Sequence, residues 1–324
     1  MFDPGFGGDP NRIAHLQLWL SEIIAAYPEF DHNRATEFVG GGFQAHGNAA
    51  SFHNELVRWL RYHLHVAATP IYRALADDLG HTHLQMIPDR LMLRVKGRAA
   101  TAETFHRDEA KGLPENALAF GGWFNFSTNS VYFRCVLATH RTSQGIIKGF
   151  VKVKDPKLYK GKDKLVEIPP GHMIIFQENL VHAVNGTKNK FDQYRLFTSA
   201  ILSHSPNPFD PKLFTHYLPN QAPFTLKSGQ ISAMIPKLWL VNHTEKAKAF
   251  APMLHDSCTY EHEVKSGKKK GHKFRAPLRL CPSLQELRAK YEDYTQEEIR
   301  RHMSLSLDDP LLDQYPECPN PMLA

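Results

Sequence analysis

The spacing of apolar residues divides this chain of 324 residues into a helical, a strand-rich and a mixed region. Over residues 1–89, apolar side chains recur every three or four positions, as they do on one face of an amphipathic helix. The first helix has Asp9 as its N-cap and Pro10 at its first helical position. A later helix is predicted to begin at Pro70 and to end at Gly80. We expect this N-terminal region to pack on the rest of the chain.

Residues 90–203 have the pattern of short strands. Apolar, β-branched and aromatic residues come in about eight runs, and glycine, proline or asparagine separates them. Helices precede these runs rather than alternating with them, which disfavours a βαβ sheet and favours a mixed α+β chain with a sandwich or jelly-roll barrel. The predicted strands are Leu91–Val95, Ala119–Phe126, Val131–Ala138, Ile146–Val153, Leu165–Ile168, Met173–Gln177, Leu180–Val184 and Tyr194–Leu202.

Residues 204–324 are predicted to form a C-terminal extension of loops and short helices. Ser283 with Glu286, and Thr295 with Glu298, are capping boxes that each predict a short helix. A basic loop occupies residues 265–275. We therefore expect three regions, at 1–89, 90–203 and 204–324.

Composition limits the class of protein. Apolar residues make up 42% and charged residues 22%, as in ordinary globular proteins. No apolar stretch approaches the roughly 20 residues of a membrane span, and the N-terminus has no secretory signal pattern. Four scattered cysteines do not make a disulfide scaffold. We expect an intracellular protein, cytoplasmic or nuclear, that is neither secreted nor bound to a membrane.

The charge leaves the partner open. A net charge of +6 suits an anionic partner without requiring one. The basic loop 265–275 and a second lysine-rich stretch at 148–164 are candidates for contact with nucleic acid, or are solvated loops. The substrate can therefore be a small molecule or a macromolecule.

Histidine is abundant, with nineteen in the chain, which raises the question of a metal site. His106 and Asp108 form an H-x-D pair beside strand-like sequence, and residues two apart on an extended segment share a face. His53 and Glu55 have the same spacing, but they lie on a predicted helix, where residues two apart diverge. An imidazole and a carboxylate can therefore converge on one ion at 106 and 108.

A third ligand and an anion-binding group are predicted further along the chain. His182 lies in an apolar strand just before an Asn-Gly turn, and Arg195 lies in the next predicted strand. Burial of an arginine is costly unless it meets an anion, and its planar fork suits a carboxylate. Two histidines and one carboxylate make the facial triad of non-haem Fe(II) oxygenases, which leaves coordination positions open.

In these residues the chain resembles the Fe(II)/2-oxoglutarate-dependent oxygenases, most closely the phytanoyl-CoA dioxygenase-like branch. The resemblance implies a double-stranded β-helix (jelly-roll, cupin-like) core at 90–203. It implies that His106, Asp108 and His182 bind Fe(II) and that Arg195 binds the 2-oxoglutarate cosubstrate. The implied activity is an O₂-dependent oxidation of a substrate C–H bond, most simply a hydroxylation.

The resemblance leaves the other cosubstrate contacts open. Trp123 stands where the branch has a tryptophan that faces the cosubstrate. Some branches carry a serine two residues after the arginine, but this chain has Phe197. Asn125, Thr198 and Tyr194 are then the candidates for a second donor.

Two alternatives remain at this point. The chain can be a catalytically silent β-barrel module that binds nucleic acid or protein. It can also be a cupin-like metal enzyme that does not use 2-oxoglutarate. Arg195 discriminates the second alternative, because only a carboxylate cosubstrate requires it.

Overall fold

A computed structural model provides the structure of the chain, and it describes the candidate site and most of the surrounding sheets. The short helices predicted within 283–303, Lys148 of the second lysine-rich stretch and most of the basic loop at 265–275 lie outside the described residues. The described ranges are 1–25, 55–87, 91–94, 96–97, 105–109, 116–142, 149–153, 155–184, 190–205, 224–225, 231–232, 259–263, 273–277, 305–318 and 320–323.

Two long helices are described in the N-terminal region: α1 (Pro10–Ala25) and α2 (Glu55–Leu79). The Asp9 carboxylate caps α1 as predicted, because it accepts a hydrogen bond of 2.9 Å from the Asn11 backbone N–H. No described helix is both long and apolar enough to cross a membrane.

Helix α2 runs through Pro70, where the sequence predicted a helix to begin. A proline inside a helix removes one hydrogen bond and costs about 3 kcal/mol. Here the cost is offset by burial on both sides, since Leu60 and Leu64 pack in one apolar cluster and Tyr72 and Ala76 in another. A helix that began at Pro70 would have interrupted this continuous buried face.

Fifteen strands are described, and every predicted strand run overlaps one of them. The strands at His83–Ile87 and His106–Glu109, and the five strands after residue 203, were not among the predicted runs. In chain order the strands are β1 (His83–Ile87), β2 (Leu91–Arg94), β3 (His106–Glu109), β4 (Leu118–Asn125), β5 (Val131–Cys135), β6 (Gly149–Lys152), β7 (Lys164–Ile168), β8 (Met173–Gln177), β9 (His182–Ala183), β10 (Gln193–Ser203), β11 (Phe224–Thr225), β12 (Ile231–Ser232), β13 (Thr259–Glu263), β14 (Lys273–Pro277) and β15 (Leu305–Ser306).

Most strands belong to two antiparallel sheets. The six-stranded sheet has the order β15-β1-β10-β4-β8, with β2 also paired to β10. The five-stranded sheet has the order β6-β3-β9-β5-β7. The chain is thus mixed α and β with antiparallel sheets. Strands β1 and β15 come from outside 90–203, so the six-stranded sheet draws on both flanking regions.

The six-stranded sheet separates two apolar layers. On one face, Phe124 of β4 and Leu196 of β10 pack with the helices, including Leu16 of α1. On the other face, Trp123 packs with Phe133 of the five-stranded sheet. Alternation of side chains along β4 produces this division. The space between the two sheets therefore faces away from the helices.

Gly122 of β4 gives a test of this packing. A Cβ atom at Gly122 would lie 2.4 Å from the backbone oxygen of Ile174 on the neighbouring strand, whereas one at Gly121 would meet only side chains, at 3.3 Å or more. We expect Gly122→Ala to lower the free energy of unfolding by about 1–3 kcal/mol. Denaturant unfolding should show a smaller loss for Gly121→Ala, and an equal loss in the two variants would contradict this packing.

Candidate metal centre

The three predicted ligands meet because β3 and β9 are neighbours. His106 and Asp108 lie two residues apart on β3, so their side chains share one face of the strand. His182 lies directly opposite His106 in the antiparallel register of β3 and β9. Strand geometry alone therefore places two imidazoles and one carboxylate together.

The side chains converge as well as the backbones. One ligand atom from each of His106, Asp108 and His182 lies within 4.8 Å of the others. The Asp108 carboxylate is 3.1 Å from Nε2 of His182 and 3.7 Å from Nε2 of His106. Among the described residues, no other three histidine, cysteine or acidic side chains meet in this way.

The centre is closed on one side and open on the other. His106 is 2% exposed and His182 is 6% exposed, so the imidazoles form a buried wall. The Asp108 side chain is 45% exposed. An ion held here would therefore meet solvent along the edge formed by the carboxylate.

The tautomer of His182 is fixed by its neighbour Leu180. Nδ1 of His182 lies 2.9 Å from the Leu180 backbone oxygen. A carbonyl oxygen can only accept a hydrogen bond, so Nδ1 carries a proton, and in the neutral imidazole Nε2 then has the lone pair that a metal ion needs. Histidine ligands commonly donate their second ring N–H to a carbonyl in this way.

Aromatic and apolar side chains surround His182. The rings of Phe176 and Phe133 lie 5.1 Å and 5.5 Å from its ring, centroid to centroid. Cys135 stands opposite His182 on β5, and burial raises the pKa of its thiol. Cys135 therefore stays a neutral thiol near pH 7, and the polar groups of the centre are nitrogen and oxygen.

Arg195 and Trp123 face the same space between the sheets. The Arg195 guanidinium carbon lies 5.3 Å from the Trp123 ring centroid and 5.7 Å from that of Phe197. Its Nη2 donates to the Met92 sulfur at 3.0 Å, and the residue is 8% exposed. The Trp123 ring packs in the same cluster as Phe133, whose ring in turn contacts that of His182. Arg195 thus belongs to the layer that contains the centre.

Thr198 and Tyr194 do not face this layer. Both have the parity of Leu196 on β10, whose side chain packs toward the helices, and Tyr194 packs in that helical cluster. Arg195 and Phe197 have the opposite parity, because successive side chains of a strand alternate between faces. Thr198 therefore points away from Arg195, contrary to the prediction that it binds the cosubstrate.

Asn125 is committed to the turn between β4 and β5. Its amide nitrogen donates to the backbone oxygens of Asn129 at 3.0 Å and Ile168 at 2.9 Å. Its side-chain oxygen accepts from the Ser127 backbone N–H at 3.0 Å. Both amide hydrogens are used, so Asn125 has no donor left for a cosubstrate, contrary to the prediction.

Sequence patterns missed two groups that shape the centre. The Leu180 carbonyl is a backbone group, and nothing in the sequence marks its contact with His182. Arg107 lies between the two ligands of β3, and its guanidinium donates to the backbone oxygens of Thr139 and Asn179. Alternation of side chains along β3 could have predicted only that Arg107 lies on the face opposite His106 and Asp108.

Comparisons with known proteins find distant structural similarity. No protein-family model matches the chain, and neither does any curated protein. The epimerase SnoN, solved with Fe³⁺ and alpha-ketoglutarate, is 12% identical over 46% of this chain and 59% of its own, with a TM-score of 0.37. The non-heme monooxygenase ThoJ, solved as a nickel complex, is 16% identical over 72% of this chain and 89% of its own, with a TM-score of 0.35.

A third similar structure is EctD from S. alaskensis, 16% identical over 59% of this chain and 69% of its own, with a TM-score of 0.39. The chain matches 59% of the length of SnoN and the same share of the alpha-ketoglutarate-dependent carbocyclase SnoK. At such identities and TM-scores these similarities do not assign a family, and the function proposed below depends on the geometry of the centre.

Asn125 provides a test of its structural role. Asn125→Ala leaves buried backbone groups without hydrogen-bond partners, so we expect the free energy of unfolding to fall by about 1–3 kcal/mol. Asn129→Ala, an exposed asparagine of the same turn, is the control and should change stability little. Denaturant unfolding and 2-oxoglutarate titration check the two effects. Weakened 2-oxoglutarate binding with unchanged stability in Asn125→Ala would contradict this assignment.

Proposed function

We propose that this chain is an Fe(II)/2-oxoglutarate-dependent oxygenase, most simply a hydroxylase. The observation that carries the proposal is the convergence of His106, Asp108 and His182 within 4.8 Å on two paired strands. Two facing antiparallel sheets around this centre are consistent with a double-stranded β-helix core. Within that superfamily the H-x-D pair and Trp123 favour the phytanoyl-CoA dioxygenase-like branch.

The donor set suits iron better than magnesium, calcium or structural zinc. Two imidazole nitrogens and one carboxylate are the facial triad of non-haem Fe(II), whereas magnesium and calcium prefer oxygen ligands throughout. Structural zinc sites are closed by four ligands and are often rich in thiolate. Here the described cluster has three ligands and an exposed edge at Asp108, which leaves room for further ligands.

Iron held there would supply the activation of O₂ that couples decarboxylation of 2-oxoglutarate to oxidation of a substrate C–H bond. The residues of the chain bind and orient. Asp108 supplies a negative charge that favours a divalent cation. The Leu180 carbonyl keeps the lone pair of His182 on Nε2, and burial of both imidazoles excludes water from one side.

Arg195 is the proposed partner of the distal carboxylate of 2-oxoglutarate. Its guanidinium lies against the Trp123 and Phe197 rings in a buried position, where a bound carboxylate is poorly screened by water. The Asn125 amide is already hydrogen-bonded within its turn, and Thr198 and Tyr194 lie on the opposite face of β10 from Arg195. The affinity for the cosubstrate therefore depends mainly on the guanidinium, with the aromatic rings as walls.

Metal binding is the first test of this function. Anaerobic addition of Fe(II) and 2-oxoglutarate to the protein should give the weak visible charge-transfer band of the chelate. We expect His106→Ala and Asp108→Ala to abolish the band, since each removes one of three ligands. His83→Ala, which lies outside the cluster, should keep it. A band that survives in both ligand variants would rule out this centre.

Cosubstrate binding tests Arg195 separately. Arg195→Met keeps an apolar stem between the rings but removes a charge-assisted hydrogen bond worth about 1.5–3 kcal/mol. We expect 2-oxoglutarate to bind the metal-loaded variant about 10- to 100-fold more weakly, while the metal affinity stays close to that of the wild type. Arg134→Met, on the other sheet and paired with Asp163, is the control. If metal binds and 2-oxoglutarate does not bind the wild type, a metal enzyme without this cosubstrate is favoured.

A further inference from the structure

Arg107 stands between the two ligands of β3 but points the other way. Because side chains alternate along a strand, Arg107 lies on the face opposite His106 and Asp108. Its Nη1 donates to the backbone oxygen of Thr139 at 2.9 Å and also to that of Asn179. One guanidinium group thus connects the ligand strand β3 to two other segments of the chain.

One of those segments leads directly to the third ligand. Residues 178–181 precede His182, and the Asp108 backbone N–H donates to the Glu178 oxygen at 2.8 Å. Arg107 holds the next residue, Asn179, through its carbonyl. Strand β3 therefore binds this segment twice, once through a backbone N–H and once through a charged side chain.

The segment that contains Val136 and Thr139 also forms hydrogen bonds with residues 178–181. The Thr139 hydroxyl accepts from the Val181 N–H at 2.9 Å and donates to the Val136 oxygen at 2.7 Å. The Val136 N–H in turn donates to the Val181 oxygen at 2.8 Å. Arg107 binds the carbonyl of this same Thr139, so the three segments form one connected network.

His182 depends on this network because its own strand is short. Strand β9 consists of His182 and Ala183, and only His182 pairs with β3. Two residues provide little regular hydrogen bonding to fix a side chain. The segment before β9 also contains Leu180, whose carbonyl fixes the tautomer of His182. Movement of this segment would disturb both the position of the His182 ring and its tautomer.

We propose that Arg107 is a positioning residue for the metal centre, which it serves by holding the His182 segment against the strand of His106 and Asp108. This role rests on the proposed function and assigns to the middle residue of the H-x-D pair a task of its own. Its hydrogen bonds are charge-assisted, and such bonds are stronger than those between neutral groups.

Three variants test the role of Arg107. Arg107→Met keeps the apolar stem and removes all donors, whereas Arg107→Lys keeps several donors on one nitrogen. Arg73→Met makes the same change away from the centre, at an arginine of α2 that pairs with Asp313 and donates to the Leu307 carbonyl. We expect Co(II), titrated by its visible absorption, to bind Arg107→Met at least about tenfold more weakly than wild type. Arg107→Lys should restore part of the affinity, and Arg73→Met should match the wild type.

Hydrogen exchange provides a readout that needs no metal. In metal-free protein, the amides of residues 179–183 should exchange faster in Arg107→Met, but not in Arg73→Met. Thr139→Val removes the hydroxyl that accepts from the Val181 N–H and should act in the same direction, which keeps the test available if Arg107→Met does not fold.

The outcomes separate the two proposals. A wild-type protein that binds no metal would contradict the proposed function. A wild-type protein that binds Co(II), with equal affinity and equal exchange in folded Arg107→Met, would overturn only the role of Arg107.

Discussion

The pairing of β3 with β9 is the constraint on which the candidate centre depends. Only one residue pair joins the two strands, and it consists of His106 and His182. A shift of the pairing by one residue would turn His182 to the other face of the sheet. Its ring would then leave the 4.2 Å contact with the ring of His106. Hence the surroundings of β9 matter more for the centre than the strand itself.

The two layers on either face of the six-stranded sheet have different roles. The helical layer fixes the sheet through large apolar side chains such as Leu16, Leu64 and Phe124, all of them fully buried. The layer between the sheets carries the polar groups of the candidate site among aromatic rings. Successive side chains of a strand enter different layers, so neighbours in sequence have unrelated roles.

Sequence patterns predicted much of this arrangement because they depend on local periodicity. The two-residue spacing of His106 and Asp108 and the apolar runs of the strands are properties that short windows reveal. The failures have physical causes of another kind. Thr198 is three residues from Arg195, and an odd spacing on a strand means the opposite face. The use of the Asn125 amide depends on where the Ile168 carbonyl lies, more than forty residues away.

The unequal exposure of the three predicted ligands has a consequence for how an ion reaches the centre. His106 and His182 are buried, whereas the Asp108 side chain is 45% exposed, so an ion would reach the centre past the carboxylate. Exchange of that ion with solvent would then depend on the Asp108 edge, rather than on the two imidazoles behind it.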